Sequence, residues 1–206
     1  MAKTQYGTNK IKKITAAAAF VSVFALFVCG CGAKKPSETQ LSISKDGVIT
    51  SSLAEHFDKE YYSLSELEDM AADEISYYNS EYSSPKINLL QSEVSEDGNV
   101  LLSISYNSYI DYAHFNQLTF YYGTVADAAD KGFSVAGDLV DSKGETISFD
   151  NVDDISDRHI IITGDKVTIA APYNISYMTK GVVLKDKKEA DLSGVSTDIV
   201  QLLLSK

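Results

Sequence analysis

The chain has 206 residues, 44% of them hydrophobic, with 18 Lys and Arg against 29 Asp and Glu for a formal net charge of -11. An acid excess of this size repels phosphate backbones and no basic stripe offsets it, which excludes a nucleic-acid partner; the apolar content is too high for a disordered chain. Three Pro and twelve Gly exclude collagen-like and low-complexity architectures, leaving one globular domain as the expectation.

The first 40 residues read as an address rather than as fold. Lys3, Lys10, Lys12 and Lys13 precede any acidic residue, and residues 14–28 form an apolar run interrupted only by Thr15 and Ser22. A basic stretch followed by an apolar one is the pattern of an export signal, which is absent from the mature protein. The run ends at Val28-Cys29-Gly30-Cys31, with a small residue directly before a cysteine. Basic residues, apolar core and tetrad, in that order over residues 1 to about 35, resemble the signal peptide and lipobox of bacterial lipoproteins. Within that family the chain is similar to small uncharacterised cell-surface lipoproteins of Gram-positive bacteria.

The resemblance implies that a lipoprotein signal peptidase reads Val28, Cys29 and Gly30. It also implies that Cys31 takes a diacylglyceryl group, with palmitate-like chains, on its sulfur and becomes the new N-terminus. The protein would then be lipid-anchored on the extracytoplasmic face of the cell membrane. Cys29 fits poorly as the acceptor because Val28 precedes it. Two other readings compete: an uncleaved membrane-spanning helix over 14–32, and an ordinary secretory cleavage near Gly30.

Processing changes the inventory. Loss of residues 1–30 removes four of the 18 basic side chains and no acid, leaving 14 against 29. Cys29 departs and the Cys31 sulfur becomes a thioether, so no thiol remains for a disulfide or a zinc-thiolate site. The expected organisation is therefore a signal peptide over 1–30, a lipidated cysteine and flexible tether over 31–40, and a single extracytoplasmic α+β domain over 41–206. A domain of that length buries roughly two-thirds of its unfolded surface. The tether residues 32–40 reach at most about 30 Å, which keeps the domain near the bilayer. Lys34 and Lys35 would lie beside headgroups, although two lysines are fewer than a polybasic lipid motif needs.

From Leu41 the periodicity predicts two short strands, Leu41 with Ile43 and Val48 with Ile49, joined by a Lys45-Asp46-Gly47 turn. A long amphipathic helix follows. Ser63 and Glu66 form its capping box, Leu64, Leu67, Ala71, Ile75, Tyr78 and Tyr82 its apolar stripe, and Pro85 its stop. Residues 87–94 and 100–106 read as a half-buried hairpin around Glu96-Asp97-Gly98-Asn99, with Val100, Leu102, Ile104 and Tyr106 on one face and Ser103 and Ser105 on the other. Ser108 with Asp111 opens a short helix, 118–122 is a strand, and Thr124 with Asp127 caps another helix ending at Gly132. Short apolar runs at 147–149, 159–163, 167–170, 175–178 and 181–184 are read as strands, and 199–204 as a strand or a helix end. Mostly antiparallel strands packed with one long helix and two or three short ones make the fold class α+β.

Catalytic motifs are thin. The three His stand at 56, 114 and 159, and no zinc-protease helix, phosphate-binding loop, dinucleotide fingerprint or nucleophile elbow occurs. Asp111 and His114 could meet on one helix face as the base-orienting half of a triad, or form a plain surface pair. Asp150, Asp153, Asp154 and Asp157 offer calcium-like oxygens, but Val152 and Ile155 occupy positions where a calcium loop beginning at Asp150 needs an oxygen and a glycine. A solvated loop, ordered by the neighbouring Arg158, is the plainer reading. No catalytic residue, metal or cofactor is assigned.

Tyrosine is the distinctive residue, with thirteen copies and no Trp. Flat rings with hydrogen-bonding tips suit sugars or extended peptides. Tyr78 and Tyr106 fall on apolar faces and are expected in the core, leaving Tyr77, Tyr109 and Tyr112 as the candidate ligand surface. The expected function is a non-catalytic binding or structural module of the cell envelope, with an envelope protein or a glycan as partner. Alternatives are a solute-binding component of a transporter, disfavoured by the absent βαβ alternation, and an envelope hydrolase, since carboxylate-based glycosidases leave no short motif.

Overall fold

The computed structural model describes residues 38–56, 63–96, 98–146 and 155–206. Strand β1 (Gln40–Ile43) pairs antiparallel with β2 (Ile49–His56) around the expected turn, where Gly47 takes a φ of +81° and the Ser44 N–H donates to the Val48 carbonyl at 2.9 Å. Helix α1 (Leu64–Asn79) starts where the Ser63 hydroxyl accepts the Glu66 N–H at 3.3 Å. It turns Ile75 into the core and ends three residues short of Tyr82. Asn79 is the cause: its Oδ1 accepts from the backbone N–H of Lys86 and Ile87, and its Nδ2 donates to the Ile87 carbonyl. One amide thereby folds the chain back into β3 (Ile87–Val94), which pairs with β4 (Asn99–Tyr106).

Helix α2 (Tyr109–Asn116) is capped by Ser108, and Gln117 closes it in a left-handed conformation at φ 53°. Strand β5 (Phe120–Thr124) and helix α3 (Val125–Asp130) follow. Six further strands follow among the described residues: β6 (His159–Thr163), β7 (Thr168–Ala170), β8 (Ile175–Met178), β9 (Val183–Leu184), β10 (Glu189–Asp191) and β11 (Val200–Leu204). The terminal apolar run thus resolves as a strand over Val200–Leu204. The expected run at 147–149 lies outside the described residues. Among the described residues, three helices and mostly antiparallel strands make the fold α+β.

The strands form two sheets. Seven are ordered β3-β4-β2-β1-β7-β10-β9 and four are ordered β5-β6-β11-β8. All pairings within them are antiparallel except β1 with β7. Both sheets close on one apolar core. Ile43, Ile49, Ile87, Tyr106 and Ile169 enter it from the seven-stranded sheet, and Tyr122, Ile161, Leu202 and Met178 enter from the other, where they stand in one cross-strand row. The outer face of the four-stranded sheet holds a second core, in which Tyr121, Ile160, Ile162 and Leu203 meet Val125, Ala128, Leu139 and Ile155. Gln201 is the polar exception there. Its side-chain amide accepts from Ala136 N–H and donates to the Ser134 carbonyl, both at 2.8 Å, clamping the segment that covers that face.

Gly123 is required by close approach. The Tyr121 ring arcs over it so that its hydroxyl donates to the Thr124 carbonyl at 2.8 Å, and a Cβ on residue 123 would lie 2.4 Å from that hydroxyl oxygen. The β3–β4 hairpin is more deeply placed than a half-buried one. Flanked by β2 and β3, strand β4 buries Leu101 and Ser103 as well as Val100, Leu102 and Tyr106.

Candidate functional site

Helices α1 and α2 lie on the core side of the seven-stranded sheet and leave a cleft of about 540 Å³ between them. Asp73, Glu74, Tyr77 and Tyr78 of α1 line one side, and His114, Phe115 and Gln117 the other. The position of each wall follows from local sequence. Ser108 donates to Asp111 Oδ2 at 2.6 Å and accepts the Asp111 N–H at 3.2 Å, a reciprocal cap that fixes the first turn of α2. Asp111 is 6% exposed, and its other oxygen accepts the Tyr78 hydroxyl at 3.2 Å. A buried carboxylate is tolerable because its oxygens are occupied, and that occupancy ties α1 to α2.

Behind the cleft stands an aromatic stack. Phe115 meets Tyr78 and Tyr106 edge-on, each at 5.8 Å between centroids, and Tyr106 meets Tyr112 at 5.0 Å and 90°. Tyr112 reaches Phe120 at 4.9 Å and donates its hydroxyl to Asp165 Oδ2 at 2.6 Å. Burial raises the Tyr112 phenol well above its ordinary range, and the Asp165 carboxylate raises it further. Tyr78 is raised as well, by burial first and then by the charge of Asp111, to which it donates. These phenols hold their protons at neutral pH and act as donors that fix the walls.

The expected tyrosine surface is redistributed. Tyr77 is 75% exposed, at the cleft mouth. Tyr109 is half-buried, its ring edge-on to Tyr121 at 5.1 Å. Tyr112 is a core residue at 3% exposure, and its place on a ligand surface is corrected accordingly: α2 is wedged between both sheets, which buries Asp111 and Tyr112 and leaves Ile110 and His114 outside. Tyr106 is buried, as expected, whereas Tyr78 is half-buried against the core and also lines the cleft. The Asp111–His114 pairing is also corrected, because Asp111 accepts from Ser108 and Tyr78 while His114 faces the cleft. Asp73 and Glu74 are site residues that the sequence does not single out; the signal for them is position, four and three residues before the exposed Tyr77 on a helix without Lys or Arg.

Elsewhere, His159 stacks on Tyr122 at 5.4 Å and 28° and stands 5.3 Å from Tyr173, a grouping no periodicity announces. Arg158 donates from Nε to the Leu204 carbonyl at 2.7 Å and lies over the Tyr177 ring. Asp150, Asp153 and Asp154 lie outside the described residues, as do Val28, Cys29, Gly30 and Cys31. Among the described residues no three His, Cys, Asp or Glu side chains converge as a metal site, and no helix is long and apolar enough to cross a membrane. The cleft sets aromatic rings beside two carboxylates and an imidazole. No protein-family model matches this chain, and no curated protein or solved structure is significantly similar to it.

Proposed function

We propose that this chain is a lipid-anchored, non-catalytic binding module on the extracytoplasmic face of a bacterial cell membrane, and that the α1–α2 cleft is its working surface. The observation that carries the reading is the order of features in residues 1–31: four lysines before any acid, an apolar run, then Val28-Cys29-Gly30-Cys31. Both cysteines of the chain fall in that tetrad. An acyl pair on Cys31 would contribute roughly 0.8 kcal/mol for each buried methylene, and two chains pass the threshold for stable attachment that one chain misses.

The fold suits a tether at this end. Strand β1 begins at Gln40, nine residues after Cys31, and sits between β2 and β7 in the middle of the seven-stranded sheet. A pull on the anchor is resisted by backbone hydrogen bonds on both sides of β1 rather than by a frayed edge. With no more than about 30 Å of chain between the lipid and the first strand, the cleft would work within a thin layer above the bilayer, where partners in the same layer meet it at high effective concentration.

Metabolic labelling with a fatty-acid probe, compared between wild type and Cys31→Ala, tests the anchor. Labelled wild type in the membrane fraction, with unlabelled variant, is the expected result. Equal labelling of the two overturns the assignment.

A further inference from the structure

We infer that the α1–α2 cleft binds a cationic amphipathic polypeptide segment, one that sets Lys or Arg against the carboxylates and an aromatic or aliphatic side chain against Tyr77 and Phe115. The inference deepens the functional reading above, resting on its choice of the cleft as the working surface but not on the lipid. Three observations carry it. Helix α1 contains five acids, Glu66, Glu68, Asp69, Asp73 and Glu74, and no Lys or Arg, and all five are exposed. Glu66, Met70, Asp73, Glu74 and Tyr77 follow one another at helical spacings of four, three, one and three, which puts them on a single stripe about 17 Å long. On that stripe Met70 is 64% and Tyr77 75% exposed, so two large apolar groups alternate with carboxylates in water.

A solvated helix face does not need Met and Tyr there, and a purely apolar dock does not need carboxylates between them. The combination complements a segment with the opposite pattern, Lys or Arg alternating with apolar side chains, which buries Tyr77 and neutralises Asp73 and Glu74 together. Alternatives meet the same charge. A phosphate-bearing surface is repelled, and a second copy pairing through this same stripe sets acid against acid.

The protein has no Trp, so a Trp-bearing peptide is a selective reporter. The test uses the full chain in neutral detergent, with a detergent-only blank, titrated into a synthetic amphipathic peptide of about 12 residues, about 18 Å as a helix, carrying Lys on one side and Leu and Trp on the other. Saturable binding that weakens with salt is expected. Asp73→Asn with Glu74→Gln weakens it roughly five- to tenfold and flattens the salt dependence. Tyr77→Ala weakens it by a similar factor and leaves the salt dependence in place. These side chains are exposed, and circular dichroism of each variant checks that it folds. A Glu-for-Lys counterpart of the peptide that binds as well, variants that bind like wild type, or a neutral glycan that binds where the Lys peptide does not, overturns the inference. Each of these outcomes leaves the Cys31 labelling result untouched.

Discussion

The two sheets share a core but meet their surroundings in different ways, and their sequences differ to match. In the four-stranded sheet, adjacent residues of one strand serve different cores: Tyr122 faces the shared core and Tyr121 the outer one, Ile161 the first and Ile160 and Ile162 the second. Strands buried on both faces read as unbroken apolar runs, as in His159-Ile160-Ile161-Ile162-Thr163. The seven-stranded sheet alternates instead. Its register sets Ala170, Ser42, Thr50, Ser105 and Asn88 in one cross-strand row, and Thr168, Gln40, Ser52, Ser103 and Gln91 in the next, all on the face away from the shared core. Within the second row the Ser52 and Ser103 hydroxyls lie 3.1 Å apart. The lesson is that the smaller sheet is covered on both faces, while the larger one tolerates change at half-buried polar positions of its outer face such as Thr50 and Ser105, though not at the buried Leu101, Ser103 and Thr168.

The largest expected effect comes from opening the row shared by both sheets. Leu202 is fully buried between Ile161 and Met178. Leu202→Ala removes its transfer energy and leaves a cavity that rigid neighbours on both faces cannot fill, a loss of about 2–5 kcal/mol in urea unfolding. A loss below about 1 kcal/mol would break the comparison.

Alkaline pH sharpens it next. Burial raises Tyr121 and pushes Tyr122 up to about 12, and these two adjacent phenols point to opposite faces of one strand. Tyr106 and Tyr112 are raised for the same first reason. A phenol whose folded pKa lies above its unfolded value near 10 keeps its proton in the native state after the unfolded chain has lost it. Stability from these groups is therefore intact below about pH 10 and falls as pH rises beyond it, by up to about 1.4 kcal/mol per pH unit for each fully buried phenol. Thermal midpoints measured from pH 8 to pH 11 are expected to hold and then drop. A tyrosinate signal from these four residues appearing before the fold is lost would contradict their burial.

Much of this was legible in advance where local chemistry decides. Ser63, Ser108 and Thr124 each cap the helix they announce, each accepting the N–H three residues on. Alternation in 100–106 marked the core face of β4. What was not legible depends on partners distant in the chain. Strand β10 is Glu189-Ala190-Asp191, with one apolar residue; it is extended because β7 and β9 pair with it, not by propensity. The parallel β1–β7 pairing joins segments more than 120 residues apart and has no local sign. The burial of Tyr112 is not legible locally, because a short helix with Ile110 exposed and Asp111 buried inverts the usual pattern. In the cleft, Tyr77 was legible as the residue off the apolar stripe, whereas Asp73 and Glu74 acquired meaning only once α2 was seen opposite them.

The smallest effect is also the most discriminating. Ser105 lies in the outer row of the seven-stranded sheet between Thr50 and Asn88, half-buried, on the face opposite Tyr106. Ser105→Ala removes one hydroxyl from a row of small polar groups and opens no cavity, so unfolding free energy should change by less than about 0.5 kcal/mol. Ile162 is the counterpart, on a strand whose two faces are both covered, and its neighbour across the pairing is the Gln201 that clamps the covering segment. If Ser105→Ala cost as much as truncating a buried isoleucine, the polar rows would have to be packed as tightly as the inner core, and the two sheets would not differ in the way their sequences say they do.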